Sequence, residues 1–340
     1  MSDNSPLSAI EAILPSGMTL QDLAVLLAGG VCQAYAAYNN GSNNTPSLPG
    51  YGSINEIYVY EAAPNLDPFA VAGAGLKAKS AASAPQNVRR VPAAYAGVAG
   101  AANACSTANP GTPSKGNQLF GFTAAANDNS HNVLVLRGTV TMEEATYDLL
   151  GWAYKLLCFL PPNSQNQKSY GSVNLGLYTF FAFGGDSQPS LAASSLSAIQ
   201  ATAQANPNKN APWFIGAHSL GGAMASLAAL NAVVSGVLNP NNTAIVTYGS
   251  LHVGDQSWAD AYGPQVPLSL RVANLCDFVP SMVSLEPETP TDPYIHVGYP
   301  GTFTWQTWDD WGNHSLANIY QPIVQSYWSL IQWGPQQYPQ

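Results

Sequence analysis

Trp213-Phe214-Ile215-Gly216-Ala217-His218-Ser219-Leu220-Gly221-Gly222-Ala223-Met224-Ala225-Ser226-Leu227-Ala228 decides the fold of this chain. Its apolar opening predicts a buried strand, the small residues around Ser219 predict a sharp corner, and the Ala/Leu-rich run behind them predicts a helix. A serine on such a corner holds its hydroxyl beyond the end of a sheet. The helix N-terminus behind it supplies unpaired N–H groups and a partial positive charge, which suit a nucleophile that must build an oxyanion. Ala217 and Gly221 stand two positions either side of the serine, where strand and helix backbones leave little room.

Outward from that corner, strand and helix patterns alternate. Leu20 to Tyr38 predicts an amphipathic helix capped by Thr19 and Asp22, and Ile54 to Tyr60 predicts a strand. Residues 62–116 are rich in Ala, Gly, Pro and Asn and predict extended loops, with one short helix around Tyr95 to Ala104. Gln118 to Ala125 and Asn132 to Leu136 predict neighbouring strands joined by a turn. Val140 to Leu160 has helical character and becomes strongly apolar before Pro161-Pro162; it reads as either core or lid. Further helices are expected over Leu191 to Ala205, Gln256 to Tyr262 and about Asn313 to Trp328, and strands over Ala244 to Tyr248 and Leu268 to Asn274. This alternation predicts an α/β fold with a mostly parallel sheet covered on both faces. The whole of 1–340 reads as one domain, with a looser part over 1–117 and a core over 118–330.

Composition narrows the classes of partner. Charged residues are only 9% of the 340, against about a quarter in ordinary soluble proteins, and the formal net charge is −9. With no basic cluster, a nucleic acid partner is not expected. The cysteines Cys32, Cys105, Cys158 and Cys276 lack metal-site spacing and read as buried free thiols, with a disulfide left open for an exported chain. Met1 to Pro6 lacks the basic and apolar regions of a secretory signal. Either a signal has been removed or the chain does not take that route, so secreted and cytoplasmic locations both stay open. No run reaches the roughly 20 apolar residues that span a bilayer.

A serine hydroxyl needs a base within hydrogen-bond reach, and the base needs an acid to orient it. Of the five histidines, His218 adjoins the serine and is expected to point elsewhere. His131 precedes a strand, and His252 and His296 lie toward a surface or sheet edge. His314, after Gly312 and ahead of the last helix, can reach the C-terminal strand ends where such sheets gather their chemistry. Asp277, directly after the strand ending at Cys276, is the first-choice acid, and Asp255 the second.

Val135-Leu136-Arg137-Gly138-Thr139, Ala217-His218-Ser219-Leu220-Gly221-Gly222-Ala223, Thr247-Tyr248-Gly249-Ser250 with Val253-Gly254-Asp255, Asn274 to Pro280, and His314 together resemble the class 3 lipases, the fungal-type triacylglycerol lipases of the α/β-hydrolase fold. The likeness runs over roughly 118–330. It implies Ser219 as nucleophile, Asp277 as acid and His314 as base, with the backbone N–H groups of Thr139 and Leu220 as the oxyanion hole. It also implies a lid after Thr139, with Asp148 at its far end, and no cofactor or metal. Val173-Asn174-Leu175-Gly176 resembles a family segment that carries histidine where Asn174 stands. The implied substrate is an apolar ester or lipid. The crowd of Phe303, Trp305, Trp308 and Trp311 ahead of His314 agrees with that, or else packs the core. Feruloyl, phospholipid or polyester bonds, and a non-catalytic binding role on the same fold, remain alternatives.

Overall fold

The computed structural model describes residues 5–39, 45–60, 117–139, 156–162, 168–184, 189–280, 294–309 and 311–334. Its central sheet has eight strands: β1 (Tyr51–Tyr60), β2 (Asn117–Ala126), β3 (Asn132–Leu136), β6 (Trp213–His218), β7 (Thr243–Tyr248), β9 (Leu268–Asn274), β11 (Tyr299–Phe303) and β12 (Gln332–Trp333), in that spatial order. From β3 to β11 every neighbouring pair is parallel. The flanking β1, β2 and β12 pair antiparallel. A smaller antiparallel sheet holds β10 (Tyr294–Ile295), β8 (Gly254–Asp255), β5 (Ser172–Asn174) and β4 (Leu156–Cys158).

Each face of the central sheet carries its own core. Leu134, Leu136, Ile215, Ala217 and Ile245 face one way, among side chains from helices over Leu191–Ala205 and Leu220–Val234. Val133, Val135, Phe214, Ala244 and Val246 face the other, among side chains from helices α1 (Pro6–Glu11) and α2 (Leu20–Asn39). Because both faces are covered, β3, β6, β7 and β9 are buried at every position. The helix behind Ser219 is buried from Leu220 to Val233. This is the mostly parallel sheet, covered on both faces, that the alternation of strands and helices predicts.

Thr19 and Asp22 cap α2 reciprocally: the Asp22 N–H donates to Thr19 Oγ1 at 3.1 Å, and the Thr19 N–H donates to Asp22 Oδ2 at 2.9 Å. Among the described residues α2 is the one helix long and apolar enough to cross a membrane, beyond what the sequence reading allowed. It is the core helix of one sheet face, with Leu23, Leu27, Val31 and Tyr35 buried.

Three expectations need correction. Leu156–Cys158, taken as the end of an apolar helix, is a strand paired with Ser172–Asn174. The single last helix from Asn313 is instead a 3₁₀ turn over Gly312–His314, a π turn over Leu316–Tyr320 and an α-helix over Gln321–Ser326. The break lies at Ser315, which takes an extended conformation and accepts the Asn318 N–H on its Oγ. Where buried thiols were expected, Cys32 and Cys276 are half-buried and Cys158 is exposed. The expected helix over 95–104, Cys105, Asp148 and most of the lid segment lie outside the described residues.

Candidate active site

Ser219 sits between β6 and the helix over Leu220–Val234 with φ 59° and ψ −129°, a backbone conformation that few residues other than glycine adopt. Two hydrogen bonds hold the corner: Ser219 N–H donates to Tyr248 O at 3.0 Å, and Gly222 N–H donates to Ser219 O at 2.8 Å. The Leu220 N–H belongs to the same trans peptide as that carbonyl and so points away from it, back out of the helix N-terminus. Gly221 is required by packing, since a Cβ there would lie 2.3 Å from the Arg137 carbonyl oxygen. Ala217, where the usual motif has glycine, is fully buried and fits.

His314 and Asp277 come together from the ends of neighbouring strands. His314 Nδ1 donates to Asp277 Oδ2 at 2.7 Å, and the carboxylate is buried. The Tyr320 hydroxyl donates to the same oxygen at 2.6 Å, while the Val279 N–H donates to Oδ1 at 3.0 Å. With Nδ1 bonded to Asp277, the ring nitrogen left to take a proton is Nε2. That atom is buried and has no hydrogen-bond partner among the described residues. The His218 ring lies 4.6 Å from the His314 ring, centroid to centroid, which places His314 beside the residue preceding Ser219. A Cβ at Gly249 would meet Tyr320 Oη, Asp277 Oδ2 and His314 Cε1 within 3.1 Å, so all three converge at the turn after β7.

Thr139 is buried just past the end of β3, the strand beside β6. The fully buried Arg137 grips the peptide before it, with Nε donating to Leu119 O and Nη1 to Gly138 O, both at 2.7 Å. A trans peptide holds its C=O and N–H in opposite directions, so the grip on Gly138 O also sets the direction of the Thr139 N–H.

The other candidates sit elsewhere. Asp255 caps the helix over Gln256–Gln265 by accepting the Trp258 N–H and the Ser257 hydroxyl. His252 and His296 stack on each other with centroids 3.5 Å apart. His131, at the opposite end of β3, bonds Ser130 and Tyr51. His218 does not point away, as expected, but into the site. Burial first, and then the nearby His314, hold it well below the ordinary histidine range. Of the aromatic crowd, Phe303 is buried and Trp311 packs on Phe278, whereas Trp305 and Trp308 are exposed, Trp308 almost entirely. Among the described residues no three His, Cys, Asp or Glu side chains gather as a metal site.

Sequence reading missed Tyr35 and Tyr320 as supports of this cluster. Tyr35 follows Leu27 and Val31 at four-residue spacing on the buried face of α2. A tyrosine there must find a partner for its hydroxyl.

The family model for class 3 lipases matches residues 133–286. A Caenorhabditis elegans protein, Lipase ZK262.3, is 28% identical over 210 residues, covering 56% of this chain and 54% of the relative. The chain thus spans about half the length of that curated relative. Among solved structures, a lipase from Rhizopus microsporus var. chinensis aligns at TM-score 0.43 and 21% identity, over 56% of this chain and 57% of the other. A triacylglycerol lipase from Penicillium expansum aligns at TM-score 0.45 and 16% identity, over 82% and 78%. Residues 133–286, which hold Thr139, Ser219 and Asp277 but not His314, match the class 3 lipase model.

Proposed function

We propose that the chain is a serine-dependent carboxylic ester hydrolase, a lipase or carboxylesterase that cleaves acylglycerols or other apolar esters through an acyl-enzyme. The observation that carries this reading is the buried Nε2 of His314. With Nδ1 committed to Asp277, Nε2 is the ring nitrogen left to take a proton, and the ring lies 4.6 Å from that of His218, the residue before a serine held at positive φ.

In this reading His314 Nε2 takes the Ser219 proton as the hydroxyl oxygen attacks the ester carbonyl. Asp277 stabilises the resulting imidazolium without taking its proton. The N–H groups of Thr139 and Leu220 bind the oxyanion, and losing one such donor costs on the order of 100- to 1,000-fold in rate. The imidazolium then gives its proton to the leaving alkoxide, and the acyl group stays on Ser219. Water repeats the sequence, with His314 as base, and frees the acid. Leu275, Trp305 and Trp308, exposed on the loops that carry Asp277 and His314, support an apolar substrate.

The test is covalent labelling by a fluorophosphonate in the wild type and in Ser219→Ala, beside hydrolysis of p-nitrophenyl esters from short to long acyl chain. Labelling and turnover that both vanish in Ser219→Ala are expected. A wild type that neither labels nor turns over would overturn the reading.

A further inference from the structure

Behind the candidate triad runs a second chain of hydrogen bonds that the reaction itself does not use. The Gly138 N–H donates to Tyr35 Oη at 2.7 Å, the Tyr35 hydroxyl meets His218 Nδ1 at 2.9 Å, and His218 Nε2 meets the His314 carbonyl oxygen at 2.9 Å. The directions follow from chemistry. A carbonyl only accepts, so His218 carries its proton on Nε2. A neutral ring then accepts on Nδ1, so the Tyr35 O–H donates to it and a Tyr35 lone pair takes the Gly138 N–H. Burial, which holds His218 uncharged, agrees with this tautomer.

One end of the chain fixes the Gly138 N–H, one peptide ahead of the Thr139 N–H. The other fixes the backbone of His314. Tyr35 belongs to α2, far from both in sequence, and is itself buried. The approach is tight enough that a Cβ on Gly138 would lie 2.5 Å from Tyr35 Oη and 2.7 Å from Ser219 Cβ. We infer that Tyr35 and His218 are positioning residues that tie the oxyanion-binding segment to the base, setting both at one distance from Ser219.

This inference rests on the hydrolase reading and extends it to residues outside the triad. Misplacement of a reacting group by about 1 Å costs on the order of 100-fold, so a tie between the two halves of the site bears on turnover more than on substrate affinity. Burial, and then the nearby His314, keep His218 uncharged at the moment His314 becomes cationic. A second positive charge 4.6 Å away would oppose that step.

The experiment compares wild type, Tyr35→Phe, His218→Gln and the double variant on a soluble short-chain p-nitrophenyl ester, with near-ultraviolet circular dichroism to confirm folding. Tyr35→Phe should lower kcat on the order of 10-fold while KM stays within about twofold, the pattern of an interaction made only in the transition state. The double variant should be no slower than the slower single variant, because both break one chain. Single variants with wild-type kcat, or losses that multiply in the double variant, would overturn the inference. If Tyr35→Phe does not fold, His218→Gln decides by the same split of kcat from KM. A wild type without activity overturns the hydrolase reading and this inference with it. An active wild type with unaffected variants overturns this inference alone.

Discussion

The Tyr320 hydroxyl and the His314 imidazole share a single oxygen of Asp277, Oδ2, at 2.6 and 2.7 Å. Burial, and then the Asp277 charge, push the Tyr320 phenol well above its ordinary value, so it remains a donor throughout the working range of pH. Tyr320 Oη also accepts the Asn274 N–H at 3.2 Å. Tyr320→Phe therefore removes one bond to a charged group, worth about 1.5–3 kcal/mol, and leaves a buried N–H unpaired. The expected result is a lowered urea midpoint at unchanged slope, together with a kcat reduced on the order of 10-fold. A variant with wild-type stability and kcat would show that Val279 and His314 hold the carboxylate without help.

Ser219 pairs a candidate nucleophile with a backbone at φ 59°. Such conformations cost a non-glycine residue about 1–3 kcal/mol. Glycine removes that strain but adds freedom to the unfolded chain, an offset of roughly 0.5–1 kcal/mol. Ser219→Gly should thus be more stable than Ser219→Ala by about 1 kcal/mol, although both lack the hydroxyl. Thermal unfolding of the two side by side checks this; equal melting temperatures would mean that the corner stores no strain.

Three histidines are held below their ordinary range. Burial is the first cause for His131, His218 and His296, joined for His296 by Arg271 and His252. A histidine with a lowered folded value binds its proton more readily in the unfolded chain. The stability it contributes is therefore complete above about pH 6.5 and is lost as pH falls below that value. Each such group steepens the loss by at most about 1.4 kcal/mol per pH unit. Urea unfolding between pH 7 and 5 should show stability falling toward acid, and His296→Gln should flatten the curve. A profile that is level through this window, before the carboxylates titrate, would contradict the assignment.

Residues whose position follows from a strand end were legible in the sequence. Ser219, Asp277 and Thr139 each stand within a few residues of the C-terminal end of a parallel strand, and an apolar run with a small-residue break is enough to find that end. Asp255, ranked second to Asp277, lies within the short β8 rather than directly after a parallel strand. It spends its carboxylate on the first turn of a helix. The division of the last helix was not legible either, since Ser315 carries an intrinsic preference for a cap that the apolar spacing around it conceals. Strand β11 escaped notice because Pro300 and Gly301 interrupt its pattern, although it lies near the sheet edge where such residues are tolerated. Least legible was Tyr35, whose partners Gly138 and His218 lie 103 and 183 residues away. Periodicity says that its ring is buried, but not what its hydroxyl meets.

Asn274 joins the two loops on which the candidate acid and base stand. Its Nδ2 donates to Trp305 O at 2.8 Å and to Asn313 O at 3.2 Å, and its Oδ1 accepts from Trp305 N at 2.9 Å and Cys276 N at 3.2 Å. The side chain is buried, so no water replaces these bonds when it is removed. Asn274→Leu strands backbone groups on both loops and is expected to cost about 3–5 kcal/mol, at the upper end for a single substitution. Asn274→Asp distinguishes the two halves of the amide. Ionised, it still accepts from both N–H groups but sets a charged oxygen against two carbonyls; protonated, it regains a donor. Asn274→Asp should accordingly be destabilised near pH 7 and recover part of the loss toward pH 4, relative to wild type at each pH. Urea unfolding at the two values measures this. A deficit for Asn274→Asp that stays the same at both would show that the donations to Trp305 and Asn313 do not hold the loops together.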